Sequence, residues 1–227
     1  LYKGALFMGV GAIDHETGTR ELGALGGLAR LMPVTAAAVG LAALSNAGLP
    51  PTFGFLGKEV LYKGTLESPA LGPAIAGLMV AVNALLMTSA GLVFFKPFLG
   101  ARTATPKPPH EAPASLWLGP VVLGGLGLAF GVFHDLAGRG IVQAAVSAVA
   151  GQPRDVDLVL FKGVDAALVL SGATVVAAVL LYLGWPRVRS ALDRVGALVP
   201  LDADRAWDAT LRGLVRVAEW QTRAIQG

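Results

Sequence analysis

The stretch Gly48-Leu49-Pro50-Pro51-Thr52-Phe53-Gly54-Phe55-Leu56-Gly57-Lys58-Glu59 places two adjacent charges directly after a run of glycine and proline. Glycine and proline interrupt helices, so this run predicts a break between two helical halves. Apolar segments of membrane type flank it on both sides. Charged side chains at membrane depth are costly, and they usually line a polar path or pair with a partner. A lysine beside a broken helix in a bilayer therefore suggests a site that handles ions or protons.

The composition indicates a membrane protein. Of the 227 residues, 54% are hydrophobic and 15% are charged, whereas soluble domains carry about 25% charged residues. The net charge of +3 is too small to argue for nucleic acid binding. The absence of cysteine excludes disulfides and thiolate metal sites, and the three histidines show no metal-binding spacing. We therefore expect neither a cofactor nor a metal.

The apolar segments predict an all-α fold: a polytopic transmembrane helix bundle with one broken helix, followed by an amphipathic lateral or interfacial helix. A helix that crosses the hydrocarbon core takes about 20 mostly apolar residues. No alternation of period two recurs at the spacing of barrel strands. The predicted elements are 1–13, 31–49, the short and charged 52–68, 69–95, 115–133 and 166–185.

The connections between these segments differ in positive charge. Lys and Arg are denser in 96–113 and in the stretch from Arg187 onward than in 14–30 and 134–162. By the positive-inside rule, this favours a cytoplasmic location for 96–113 and the C-terminal tail. It places 14–30 and 134–162 on the opposite side, provided that 52–68 is a full crossing.

The tail, residues 202–226, has the pattern of an amphipathic helix. Its apolar face includes Trp207, Leu211 and Leu214, and Glu219 and Arg223 form a favourable i,i+4 pair. Two interpretations stand: the helix lies along the membrane interface or against neighbouring subunits, or it packs in solvent on its own domain.

The charges after the break have helical spacing. Glu59, Lys63 and Glu67 fall at successive i,i+4 positions, so they are predicted to neutralise one another along one stripe. Lys58 lies about 100° away from that stripe and is left without a partner in this element. Two interpretations of Lys58 remain open. It exchanges a proton near neutral pH, or its ammonium group simply reaches the membrane interface.

Lys3 is a second candidate for a charged group at membrane depth. It precedes Asp14 by about ten residues, which places it about 15 Å inside the helix end. Asp14, His15 and Glu16 are predicted to lie in a loop, where they either give protons or cations access to the protein or are simply solvated.

Polar residues also occur in and beside the apolar spans. Asn83, Thr88 and Ser89 are expected to form hydrogen bonds between helices rather than to bind ions. Asp165 is expected to cap the last span.

Three motifs carry a resemblance to a known family: Leu1-Tyr2-Lys3-Gly4-Ala5-Leu6-Phe7-Met8, then Asp14-His15-Glu16-Thr17-Gly18-Thr19-Arg20, then Gly54-Phe55-Leu56-Gly57-Lys58-Glu59. In this order they resemble the large A-type subunit of the Mrp-type multisubunit cation/proton antiporters. The same framework is similar to the terminal antiporter-like subunit of respiratory complex I. The resemblance covers essentially the whole chain and is strongest over 1–68.

The resemblance implies a line of lysines and histidines along the membrane midplane, with a broken helix in each of two inverted repeats. It implies that Lys3 and Lys58 relay protons. The spacing of the charges makes Glu59, Lys63 and Glu67 the supporting charges, and Asp14 and His15 are the candidate point of access. The resemblance also implies three parts: the second half of the antiporter module (1–100), additional transmembrane helices (101–186) and a cytoplasmic-side amphipathic segment (187–227).

The resulting hypothesis is part of the proton-translocating subunit of a multisubunit Na+/H+ antiporter, a transporter rather than an enzyme, in the cell membrane. The expected partners are other membrane subunits and the lipid bilayer, with H+ and Na+ as the transported ions. Since the chain begins without methionine and the first repeat is missing, we expect a segment of a longer protein. The alternatives are a proton-pumping subunit of a respiratory NADH:quinone oxidoreductase and a membrane scaffold whose charges serve packing.

Overall fold

The computed structural model describes residues 1–68, 71–161, 163–198 and 203–226, and these residues form helices and turns without a strand. The chain divides into two compact units, Leu1–Tyr182 and Leu183–Gly227. The predicted all-α class is confirmed.

The first unit contains eight helices among the described residues, several of them joined by short 3-10 or π-helical turns. They are α1 (Tyr2–Thr17), α2 (Pro33–Asn46), α3 (Phe53–Leu66), α4 (Gly72–Phe94), α5 (Ala114–Val132), the single turn α6 (His134–Ala137), α7 (Gln143–Ala150) and α8 (Ala166–Leu183, whose last residue begins the second unit). A π-helical turn, Phe95–Leu99, continues α4.

Three of the described helices are long and apolar enough to cross a membrane: α4 with its π-helical turn, α5 and α8. They correspond to the predicted spans 69–95, 115–133 and 166–185. Large apolar side chains point outward from the unit, as Phe7 does with 83% of its surface exposed. Such a surface suits lipid or neighbouring membrane subunits.

The predicted break lies at residues 47–52, between α2 and α3. Gly48 adopts a positive φ of 61°, which terminates α2 after 14 residues. The prediction that 31–49 is a complete span is wrong, because 14 helical residues reach only about 21 Å, less than the roughly 30 Å of a hydrocarbon core. Since α3 also has 14 residues, the two halves together supply one crossing.

This difference changes which connections share a face of the bundle. The Lys107 amide donates to the Thr17 carbonyl at 3.0 Å, and the Thr103 hydroxyl donates to the Ala24 carbonyl at 2.8 Å. The prediction that 14–30 and 96–113 lie on opposite sides is therefore wrong. It counted α2 and α3 as two crossings, whereas they form one. We call the surface formed by 14–30 and 96–113 the loop face.

Helix α1 is also longer than predicted. It continues through Asp14, His15 and Glu16 to Thr17 and ends at Gly18, whose φ is 72°. The placement of these three residues in a loop is therefore wrong, since the left-handed glycine, and not Asp14, terminates the helix.

Helices α1, α2 and α5 pack together, and α2 also contacts α4. The largest buried cluster lies near the loop face and includes Ile13, Leu28, Met32, Val39 and Phe98. Helix α5 approaches α2 and the break through buried glycines, among them Gly124, Gly127 and Gly131. Small residues allow such close backbone approach between membrane helices.

The second unit contains α9 (Trp185–Leu198) and α10 (Ala203–Gln226). The predicted amphipathic helix is present as α10, and Glu219 and Arg223 form the expected pair at 3.8 Å. Trp207 and Leu214 of its apolar face are exposed. Asp202, the first residue of the predicted tail helix, and Gly227 lie outside the described residues.

Replacing Gly131 with alanine tests the close contact between α5 and the break. A Cβ at this position would overlap the Pro51 carbonyl oxygen and lie 2.7 Å from the Phe53 nitrogen. We expect G131A to lose about 1–3 kcal/mol of stability, measured as a lower thermal unfolding midpoint of the full-length protein in detergent. A methyl group added at Gly125 on the same helix would have no atom within 4 Å, so G125A is the matched control. Equal midpoints for the two variants would contradict this packing.

Candidate functional site

Lys58 lies in the second turn of α3, directly behind the helix break, and only 7% of its surface is exposed. Its ammonium group is 5.6 Å from the centroid of the Phe55 ring, within the range of a cation–π contact. Its aliphatic chain rests on Gly48, where a Cβ would lie 3.1–3.3 Å from the outer atoms of the lysine. The glycine that ends α2 thus also leaves room for Lys58.

Lys58 and Lys3 each line a cavity, and the two cavities share a lining residue. A cavity of about 330 Å³ is lined by Lys58 and Asn83, and one of about 350 Å³ is lined by Lys3 and Ser89. Asn46 lines both cavities, and its side-chain amide donates to the Leu86 carbonyl at 3.3 Å. The last residue of α2 therefore places a polar group between the two lysines.

Glu59 is buried, and its partner comes from another helix. The Ser171 hydroxyl of α8 donates a hydrogen bond to the Glu59 carboxylate. One turn further on, Lys63 pairs with Asp165 at 2.9 Å. Asp165 caps α8 as predicted, by accepting a hydrogen bond of 2.9 Å from the Leu168 amide. This amide and Lys63 hold the pKa of the Asp165 carboxyl below its ordinary value.

The predicted ladder of Glu59, Lys63 and Glu67 is wrong for the described part of the chain. Residues of α8 and the position before it supply the partners of Glu59 and Lys63. Helix α3 ends at Leu66, so Glu67 is its exposed C-cap residue. Helical spacing alone did not reveal these partners, because they lie more than 100 residues away along the chain.

A second polar group links α3, α4 and α8. The Tyr62 hydroxyl is 2.7 Å from the Thr174 hydroxyl, and the Asn83 amide donates to Tyr62 at 3.2 Å. Thr174 in turn donates to the Leu170 carbonyl at 2.8 Å. Tyr62 therefore donates to Thr174, and the three hydrogen bonds from Asn83 to the Leu170 carbonyl all run in the same direction. Sequence reasoning missed Tyr62, Ser171 and Thr174, although Ser171 and Thr174 are the polar positions, three residues apart, of an otherwise apolar span.

The other polar residues of α4 differ in their partners. Thr88 donates to the Ala178 carbonyl of α8 at 3.2 Å, which confirms an interhelical bond there, as for Asn83. Ser89 donates to the Leu86 carbonyl of its own helix at 2.8 Å, so the interhelical bond predicted for Ser89 is wrong.

Asp14 and His15 lie at the loop face, at the end of α1 opposite Lys3. Eleven helical residues separate Lys3 from Asp14, or about 17 Å. Asp14 pairs with Arg20 at 3.0 Å, and His15 contacts Glu16 at 2.8 Å. The structure thus brings Glu59 and Lys63 to α8, leaves Lys58 beside the break, and places Asp14 and His15 in a separate group.

Among the described residues, no group of three or more histidine, aspartate or glutamate side chains could hold a metal ion.

Comparison with known proteins identifies the family. Residues 1–93 match the family described as NADH:quinone oxidoreductase/Mrp antiporter, TM. The chain is 34% identical to the A subunit of the Na+/H+ antiporter of Alkalihalophilus pseudofirmus, over 98% of this chain and 29% of that protein. Over 74% of the chain it is also 34% identical to the A1 subunit of a Na+/H+ antiporter of Staphylococcus haemolyticus, of which it covers 22%.

A solved structure of similar fold is the Mrp complex from Dietzia sp. DQ12-45-1b. The match has a TM-score of 0.74 and 32% sequence identity, and covers 96% of this chain and 24% of that chain. The chain thus spans less than a third of the length of each of these relatives.

Ser171→Ala tests whether α8 supports the buried carboxylate of Glu59. Removing the hydroxyl leaves that carboxylate without its donor, which costs about 1–3 kcal/mol when a buried acceptor is left unpaired. We expect a lower thermal unfolding midpoint for the full-length protein in detergent. Ser89→Ala is the matched control, because Ser89 is exposed and bonds within its own helix. A midpoint for S171A equal to that of S89A would show that the contact contributes nothing.

Proposed function

Because the chain belongs to the family of membrane subunits shared by Mrp antiporters and NADH:quinone oxidoreductases, as a segment of the antiporter's A-type subunit, we propose that it relays protons within a multisubunit Na+/H+ antiporter. The observation that carries the proposal is the burial of Lys58 behind the helix break. Among the described side chains, no carboxylate forms a salt bridge with it at 4.0 Å or less. An ionisable group in this position is a functional site by default in a membrane protein.

Lys3 and Lys58 are the proposed relay groups. Asn46 lines both of their cavities, and its amide oxygen and nitrogen can each hold a bridging water. A proton leaving one ammonium group would cross this region and arrive at the other amine. Lysine suits the role at position 58, because the amine of a buried lysine can lose and regain a proton. Lys3 is exposed in the described segment.

Glu59, Lys63 and Glu67 are proposed as supporting charges of unequal weight. Glu59 is buried next to Lys58 in the sequence, so its carboxylate would balance the charge of a proton that arrives at the lysine. Lys63 is already neutralised by Asp165, and Glu67 is exposed. Among these three, Glu59 is the residue that we expect to matter for the relay.

The proposed organisation follows the predicted parts. Residues 1–100 would form the second half of the antiporter module, 101–186 additional membrane helices, and 187–227 an amphipathic segment on the cytoplasmic side. Other membrane subunits would cover the exposed apolar surface, and Na+ would be the exchanged cation. Asp14 and His15 would stand where protons reach the loop face. The similarity to an antiporter subunit over nearly the whole chain favours this proposal over a respiratory subunit.

Replacing Lys58 tests the relay. We expect both Lys58→Ala and Lys58→Arg to lower Na+/H+ exchange in everted membrane vesicles by about a hundredfold, the scale of lost proton-transfer groups. Arginine keeps the charge but does not release its proton, so failure of both variants distinguishes proton exchange from charge alone. Lys96→Ala, at the end of α4, is the control. Full exchange by K58A in a normally assembled complex would refute the relay.

Single cysteines test the orientation. This segment contains no cysteine, so Glu21→Cys and Ala104→Cys on the loop face, and Val149→Cys in α7, each introduce its single cysteine, to be compared with the unmodified protein. We expect a membrane-impermeant maleimide to label positions 21 and 104 in everted vesicles and position 149 in right-side-out vesicles, because Lys and Arg concentrate on the cytoplasmic side. Labelling of positions 21 and 104 from different sides would contradict the shared face.

A further inference from the structure

The loop face contains a buried carboxylate that the relay does not use. Glu16, in the last turn of α1, is only 4% exposed, and each of its two oxygens contacts a different histidine. His15 Nδ1 lies 2.8 Å from Oε1, and His110 Nδ1 lies 3.1 Å from Oε2. The histidines come from different segments, since His15 belongs to α1 and His110 to the connection between α4 and α5.

The geometry fixes where the protons of these imidazoles lie. His110 Nδ1 faces the Glu16 carboxylate and also the Glu111 carbonyl at 3.0 Å, and both are acceptors. His110 therefore donates from Nδ1, and His15 does the same toward Glu16. Each ring keeps Nε2 for a second proton. Because the side chains of His15 and His110 are 62% and 74% exposed, that proton can come directly from water.

The other charged groups around Glu16 have partners elsewhere. Asp14 pairs with Arg20 at 3.0 Å, and the Lys107 ammonium donates to the His15 carbonyl at 3.1 Å. The Glu111 carboxylate accepts from the Val34 amide at 2.6 Å and from the Thr35 hydroxyl at 2.6 Å. Within the described residues, the histidines are thus the only basic side chains within 4.0 Å of the Glu16 carboxylate.

Neighbouring residues of the same connection therefore hold two helices. His110 attaches residues 100–113 to α1 through Glu16, and Glu111 attaches them to the first turn of α2. Helix α1 carries Lys3, and α2 leads to the break beside Lys58. The histidine contact therefore involves α1, and the neighbouring Glu111 contact involves α2.

We propose that Glu16, His15 and His110 form a proton-binding clasp that fastens the connection 100–113 to α1. Histidine is the side chain whose charge changes between about pH 5 and pH 8. Protonation of the rings adds the attraction between opposite charges to the hydrogen bonds that the Glu16 carboxylate already accepts, and the bond from His110 is the one that joins the connection to α1. The clasp is closed at the acidic end of this range and loosens as the pH rises.

Hydrogen exchange of the intact complex tests the clasp. The Lys107 amide, bonded to the Thr17 carbonyl, reports whether the connection is held. After correction for intrinsic rates, we expect the protection of peptides covering 100–113 to fall severalfold between about pH 5 and pH 8. In H15Q/H110Q, where glutamine donates but does not titrate in this range, protection should not change with pH. E16Q, which removes the charge but keeps the shape, should lose the protection found at low pH.

His134→Gln is the matched control, since His134 follows α5 and lies away from the loop face. It should retain the pH dependence of the unmodified complex. A pH dependence that persists in H15Q/H110Q, or protection of 100–113 that is constant in the unmodified complex, would overturn the proposal. Exchange requires no transport, so the same measurement on K58A separates a failure of the clasp from a failure of the proposed relay.

Discussion

The bundle depends on one constraint: a helix is interrupted inside a membrane, where freed backbone groups find no water. The chain meets this requirement locally. The Gly48 amide donates to the Ser45 carbonyl at 3.1 Å and the Thr52 amide to the Leu49 carbonyl at 3.1 Å, while the Thr52 hydroxyl adds a bond of 2.6 Å to the same carbonyl. The break is thus a compact turn with hydrogen bonds of its own. Gly48 of the break contacts the Lys58 side chain, and residues 51–53 contact Gly131 of α5.

Residue types predicted the parts of this structure that follow from local chemistry. The run from Gly48 to Gly57 predicted the break, and the uncharged segments predicted α4, α5 and α8. The number of membrane crossings could not be predicted from the sequence. The apolar residues of α2 and α3 are compatible with two crossings or with one crossing interrupted by the break. Counting α2 and α3 separately reversed the side assigned to 14–30. Only long-range contacts, such as the hydrogen bond from Thr103 to Ala24, correct that assignment.

The candidate site shows the same limit at the scale of side chains. The position of Lys58 after the break was sufficient to identify it as a candidate site residue. The partners of Glu59 and Lys63 could not be predicted from the sequence of α3. Its spacing suggests pairs within the helix, whereas the actual partners are distant along the chain. Ser171 and Asp165 reach these charges from α8 and the residue before it. Likewise, the contact between Glu16 and His110 could not be predicted from the sequence, because the fold brings the connection from residue 100 onward to the end of α1.

The hydrogen-bonded series from Asn83 through Tyr62 and Thr174 to the Leu170 carbonyl has a consequence for proton leakage. It begins at an amide nitrogen that does not release its proton near neutral pH and ends at a backbone oxygen that does not accept one. A proton cannot pass along such a series and leave at the far end. The series therefore does not conduct protons. Asn83, at its start, lines the cavity of Lys58. The series can thus hold α3, α4 and α8 together with polar contacts without providing a path for protons.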